Sequence, residues 1–140
     1  MEQLAILLKF LDIYVHNAHN LSKGALFFGD HAFLGDIYAE ADGDYDDVVE
    51  RMIGLGQSVD LVKLHVQAVQ MVQSKPQMVN ENKEYFKIIL ETNKQICNLV
   101  NQLAKDPSIY EGTRQLIGEI ANKKEIQNYK LSWRTTNIRC

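Results

Sequence analysis

The chain of 140 residues has a net charge of −3 and is long enough for one domain with a hydrophobic core, so residues 1–140 are predicted to form a single domain. Its 46% hydrophobic and 24% charged residues are typical of a soluble globular protein, and the acidic balance excludes nucleic-acid binding through bulk charge. Charged residues interrupt the apolar N-terminus, so neither a signal peptide nor a membrane span is predicted. The two cysteines, Cys97 and Cys140, form no disulfide framework, and a reduced, cytoplasmic protein is expected.

The first half of the chain predicts two long helices. The first carries two apolar strips at helical spacing, which are Leu4, Leu8, Leu11 and Val15, and Ile6, Phe10 and Ile13. A helix that is apolar over so much of its surface is expected to be buried on more than one side, and the turn at residues 22–24 is expected to end it. The second helix is predicted from about Leu26 to Leu55. Three glycines raise the alternative of a break within it, namely Gly29, Gly35 and Gly43.

The second half predicts a crossover followed by two more helices. A short helical stripe lies within residues 57–79 and consists of Val59, Val62, Val66 and Val69. The third long helix has the cleanest apolar stripe in the chain, which is Tyr85, Ile89, Thr92, Ile96, Leu99 and Leu103. Ser108 and Glu111 form a capping box that is predicted to start the fourth. The expected fold is therefore all-α, a ferritin-like four-helix bundle with a short helix in the long crossover between helices two and three.

Four polar residues suggest a metal site. His19 and His31 supply imidazoles, and Asp46 and Glu50 supply carboxylates that project from one helix face because they are four residues apart. This mixed nitrogen and oxygen set suits Fe(II), zinc or manganese better than calcium or magnesium. On one helix His31 and Asp46 lie roughly 22 Å apart, at 1.5 Å per residue. Since a ligand bond is only about 2 Å long, either the helix is broken or a second subunit completes the site, as two antiparallel copies around a two-fold axis would do.

The same residues carry a family resemblance. The stretches at residues 19–24, 27–31, 46–51 and 55–56 resemble the Dps proteins, the mini-ferritins named for DNA protection in starved cells. In the Dps signature a first histidine is followed by a second after 12 residues, an aspartate after 15 more and a glutamate after a further 4. His19, His31, Asp46 and Glu50 match all three intervals. The ferritin centre held within a single bundle needs a Glu-x-x-His pair, which this sequence lacks.

The resemblance implies a hollow homododecamer built from homodimers, with iron-oxidising centres at the dimer two-fold axes. His19 and His31 of one subunit and Asp46 and Glu50 of the other then serve as both metal ligands and catalytic residues. It also implies a ferroxidase that oxidises Fe(II), preferably with hydrogen peroxide and otherwise with oxygen, and stores the ferric product in the cavity.

The sequence departs from the Dps pattern at two positions near these ligands. Many members have tryptophan after the first histidine and an acidic ligand four residues after the second, whereas this chain has Asn20 and Gly35. Asp36 or Asp47 is the candidate for a further carboxylate ligand. No lysine-rich N-terminal tail precedes the first helix, so DNA binding by that route is not expected. Two alternatives remain open, which are a structural or DNA-associated shell with an incomplete centre, and a helical dimer that binds zinc.

Overall fold

Five α-helices make up a computed structural model that describes residues 1–136; residues 137–140, which include Cys140, lie outside the described part. In chain order they are α1 (Glu2–Leu21), α2 (Phe27–Gly54), α3 (Leu61–Gln73), α4 (Lys83–Ala104) and α5 (Glu111–Thr135). No β-strand occurs among residues 1–136, so the all-α prediction is confirmed. Four helices are long, and the 13-residue α3 lies between α2 and α4. None of the helices described has the length and apolarity that a membrane crossing requires.

The first compact unit of the chain, Met1–Tyr85, is organised around α1. This helix packs against both α2 and α3, which explains its two apolar strips. Its buried apolar residues include five in succession, Leu4, Ala5, Ile6, Leu7 and Leu8. The hydroxyl of Tyr14 donates a hydrogen bond of 2.7 Å to the carbonyl of Pro76, which fixes the segment after α3 onto α1. The prediction of a first helix buried on more than one side is therefore confirmed.

The second helix runs without interruption for 28 residues, so the alternative of a break is wrong. Each glycine within a helix costs about 1 kcal/mol relative to alanine. Burial of the apolar residues on one face of α2 offsets this cost, because each valine, leucine or isoleucine side chain contributes about 1.5–3 kcal/mol when removed from water. The fully buried members of this face are Leu34, Ile37, Ala41 and Val48.

The buried face of α3 differs from the valine stripe in the sequence. Leu64, Ala68 and Val72 are the buried residues of this helix, whereas Val62 is 75% exposed and Val66 is also exposed. Both faces of α3 are apolar, so periodicity alone could not decide which one packs on α1.

The second compact unit begins at Phe86 and contains most of α4 and all of α5. The predicted capping box at its turn is wrong: α5 begins at Glu111 after the N-cap residue Tyr110, and no side chain caps it. Ser108 instead donates two hydrogen bonds, from its backbone N–H and its hydroxyl, to the Asp106 carboxylate at 2.9 and 2.7 Å. These two bonds lower the pKa of Asp106. A local turn therefore competes with the cap for the same serine.

The corner between α1 and α2 is held by one buried side chain. Gly24 has a φ of +91°, a conformation that favours glycine, and it lets the chain reverse between the two helices. Asn82, which is 5% exposed, accepts a hydrogen bond from the Lys23 N–H at 3.0 Å and donates to the Lys23 carbonyl at 2.6 Å. Its amide also donates to the buried Asp30 carboxylate at 2.9 Å. The residues before α4 thus fix the corner that joins the first two helices.

Substitution Asn82→Ala should lower the free energy of unfolding by about 2 kcal/mol, because it removes three hydrogen bonds and leaves the buried Asp30 carboxylate without this donor. Thermal or urea unfolding measures the change. The matched control is Asn80→Ala, which removes an exposed side chain and should change stability by less than about 0.5 kcal/mol. Equal stability of the two variants would show that Asn82 does not hold the corner.

Candidate metal centre

The corner between α1 and α2 brings His19 and His31 together. His19 lies in the last turn of α1 and His31 in the second turn of α2. Their rings stack, with centroids 3.6 Å apart and planes inclined by 21°. His19 and His31, which the resemblance to Dps proteins implies to act together, therefore lie side by side within one chain.

Two reciprocal hydrogen bonds define the state of these rings. Nδ1 of His19 lies 2.7 Å from the His31 carbonyl, and Nδ1 of His31 lies 2.8 Å from the His19 carbonyl. A carbonyl oxygen only accepts, so each Nδ1 carries a proton and donates it. In a neutral imidazole this leaves the lone pair on Nε2, the form that binds a metal. The Nε2 atoms of both rings make no hydrogen bond to any residue between 1 and 136 and are available as ligands.

The end of α1 explains why the His19 carbonyl is available. The last carbonyls of an α-helix lack partners within the helix, and that of His19 is one of them. The Ser22 hydroxyl donates to the same oxygen at 2.8 Å and lies 3.3 Å from Nδ1 of His31. The His31 carbonyl lies inside α2 and uses its second lone pair for the His19 ring.

Other aromatic rings surround the histidine pair. Phe27 stacks on His31 at 4.8 Å, and Tyr38 meets His19 edge-on at 5.3 Å. Tyr38 also stacks on the exposed His16 at 4.1 Å. Both histidine rings are therefore held by neighbours before any ligand binds.

The candidate carboxylate ligands all lie on α2, and all but Asp36 lie on its second half. Tyr45 is buried there beneath the Lys9 ammonium, which stands 4.1 Å from the centre of its ring. Burial raises the pKa of Tyr45, and the Lys9 charge opposes that rise. With Tyr45 and Val48 facing inward, the carboxylates face solvent, and they are Asp36, Asp46, Asp47 and Glu50. None of these four forms an ion pair or hydrogen bond with the part of the chain that the structure describes.

Histidines and carboxylates do not meet within one chain. Because α2 is continuous, His31 and Asp46 are separated by roughly 22 Å along its axis. No group of three or more histidine, cysteine, aspartate or glutamate side chains capable of holding a metal forms among residues 1–136. Within residues 1–136 the histidine pair and the carboxylates are therefore separate groups.

Spacing alone did not reveal several residues that shape the histidine pair. Phe27 and Tyr38 follow the apolar pattern of α2 and carry no signal of a ring contact with histidine. Ser22 was identified as part of a turn, but its hydrogen bond to the His19 carbonyl depends on where α1 ends. Only the position of the α1–α2 corner reveals these contacts.

The comparison with known families decides the affiliation of the chain. A family model for the ferritin-like domain matches residues 1–132. The chain belongs to the ferritin family. This is a family of iron-binding and iron-storing helical proteins, and the match spans both compact units. No curated protein and no solved structure gives a significant match.

In the metal-free protein, the side-chain ¹⁵N resonances of His19 and His31 should report protonation at Nδ1, because both protons are held by carbonyl oxygens. Histidine-selective labelling at about pH 8, where imidazole is neutral, allows the measurement. The exposed His16, for which no hydrogen bond is formed within residues 1–136, serves as the internal control for a ring whose tautomer is not set by a hydrogen bond. Protonation of His19 or His31 at Nε2 alone would contradict the hydrogen bonds described here.

Proposed function

We propose that this ferritin-like chain is a Dps-like ferroxidase and iron store, with centres shared between two copies. The observation that carries the proposal is the stacked pair of His19 and His31, both held with Nε2 available to a metal. Imidazole together with carboxylate suits Fe(II). The exposed Asp46 and Glu50 supply the carboxylate half.

The two rings lie close enough to serve one centre. Their centroids are 3.6 Å apart and their planes are inclined by 21°. With each Nδ1 held by a carbonyl oxygen, each ring would offer its Nε2 to iron, and carboxylates of the second copy would complete the ligand set.

The length of α2 favours a shared site. If His31 faces Asp46 of a second antiparallel copy, the two-fold axis passes midway between these positions, beside Tyr38 and Ala39. Three exposed residues on this part of α2 have short side chains, which favour close approach of a second α2, and they are Ala32, Ala39 and Gly43. Such a pair contains two equivalent centres.

Two further features support self-association with metal. Asp46 and Glu50 are like charges at positions i and i+4, an arrangement that destabilises a helix and that a bound cation relieves. The exposed apolar face of α3 gives subunit contacts a surface to bury, and its residues are Leu61, Val62, Val66 and Val69. The twelve-subunit shell follows from the resemblance to Dps proteins.

The redox step is balanced by two Fe(II) ions and one hydrogen peroxide. Each Fe(II) gives up one electron, and the two electrons break the O–O bond of the peroxide. In the overall reaction two Fe(II), one hydrogen peroxide and two water molecules give two FeO(OH) units and four protons, and the ferric oxide is stored. The protein supplies the ligands and keeps the two ions together, so that peroxide takes both electrons at one centre.

The further carboxylate ligand is assigned to Asp36 or Asp47, which are both exposed on α2. The zinc-bound dimer and the DNA-associated shell stay predictions, as does the cytoplasmic location. Metal analysis of the purified protein, together with a gel-shift assay at low salt, tests the first two.

Complementation between two inactive variants tests the shared centre. His31→Ala and Asp46→Ala should each abolish the acceleration of Fe(II) oxidation by peroxide, because each removes one half of every centre. When the two variants are co-expressed, a mixed dimer has one intact centre and one doubly altered centre. With random pairing, about a quarter of the wild-type rate should return. Stopped-flow absorbance under anaerobic conditions measures the rate, and light scattering measures particle mass against the 16.0 kDa chain.

The controls are His65→Ala on α3 and Glu119→Ala on α5, both exposed residues that should leave the rate unchanged. A wild-type protein that does not accelerate the reaction would refute the ferroxidase function. An active wild type whose co-expressed variants recover no rate would refute sharing between copies.

A further inference from the structure

Gly35 lies against the His19 ring. A Cβ atom added at this glycine would stand 3.2 Å from Cε1 and 3.3 Å from Nδ1 of His19, which is closer than Cβ atoms normally approach other atoms. The same construction at Gly29 or Gly43, on the same helix, meets no atom within 4 Å. Among these three glycines of α2, only Gly35 has a neighbour that uses the space its missing side chain leaves.

Backbone conformation does not require glycine at this position. Gly35 lies inside the continuous α2, and among the described residues only Gly24 and Gly56 have positive φ angles. Alanine is favoured over glycine within a helix. Gly35 therefore lowers the helix propensity of α2 but leaves room for the His19 ring.

The helix geometry explains the close approach. In an α-helix the N–H of residue 35 donates to the carbonyl of residue 31. The His19 ring donates to that same carbonyl through Nδ1 at 2.7 Å. A ring that shares this acceptor must lie next to residue 35.

The His19 ring has little freedom to move away. Its face stacks on His31 at 3.6 Å, and Tyr38 meets it edge-on at 5.3 Å. A Cβ at residue 35 would push on Cε1 and Nδ1, so the ring could shift only by stretching the Nδ1 hydrogen bond or by disturbing one of these contacts.

We propose that Gly35 is a positioning residue, whose missing side chain lets His19 donate from Nδ1 to the His31 carbonyl and so directs Nε2 of His19 toward the metal. The metal part rests on the proposed function, whereas the position of the ring does not. A side chain introduced at residue 35 should therefore weaken metal binding, although it raises the helix propensity of that position.

A double-mutant cycle on the metal-free protein tests the contact. In a His19→Ala background the ring is absent, so Gly35→Ala should raise the melting temperature by a few degrees, as alanine does in a helix interior. With His19 present, Gly35→Ala should raise the melting temperature by less or should lower it. Gly29→Ala and Gly43→Ala should change the melting temperature equally in both backgrounds. Additive effects of Gly35→Ala and His19→Ala would refute the contact.

Two more measurements test the positioning role. Gly35→Ala should shift the ¹⁵N resonances of His19 and lower the affinity for Co(II), used as an air-stable probe for Fe(II), by about ten-fold or more, which corresponds to one repositioned ligand. Gly29→Ala, at a glycine whose added Cβ would meet nothing within 4 Å, should leave both unchanged. A Gly35→Ala protein with wild-type His19 resonances and Co(II) affinity would overturn the proposal. If the wild type binds no Co(II), the proposed function fails, and the cycle and the resonances still decide the position of the ring.

Discussion

The reciprocal hydrogen bonds between His19 and His31 are the constraint on which the candidate centre depends. Each ring donates from Nδ1 to the backbone of the other helix, so the end of α1 and the start of α2 are joined by the same atoms that set the tautomers. Asn82 holds the corner that makes these bonds possible, because it binds both backbone groups of Lys23. The structural role of each histidine therefore uses Nδ1, and the proposed metal-binding role would use Nε2 of the same ring.

Several residues on the exposed and site-facing surfaces of α2 lower the stability of this helix. Glycines weaken its interior, and the neighbouring charges of Asp46 and Glu50 repel each other. Burial of its opposite face against α1 maintains the helix, including Leu34 and Ile37, which are fully buried. Since packing supplies the stability, the other face is free to carry small and acidic residues. The proposed site between two copies of α2 requires one buried apolar face and one exposed face of this kind.

Membership of the ferritin family raises the question of where in the bundle iron could be held. A ferritin-like domain can hold iron within its own bundle, which needs a Glu-x-x-His pair that this sequence lacks. Here the histidines lie at the end of α1 and the start of α2, and the continuity of α2 keeps them away from Asp46 and Glu50 of the same chain. The proposed centre therefore draws its carboxylates from a second copy.

The sequence by itself determined the order of the helices and the residue types of the candidate metal ligands. The bounds of α2 agree with prediction within one residue at each end, because a long apolar periodicity outweighs three glycines. It could not determine the buried face of α3, whose two sides are both apolar, or the start of α5, where Asp106 binds the serine that was predicted to cap the helix. Only the tertiary structure decided that the histidine rings stack, that their Nδ1 atoms are bonded, and that Gly35 makes room for His19. These features depend on the angle and depth at which two helices meet, which is set by long-range packing and by the Asn82 contacts rather than by residue spacing.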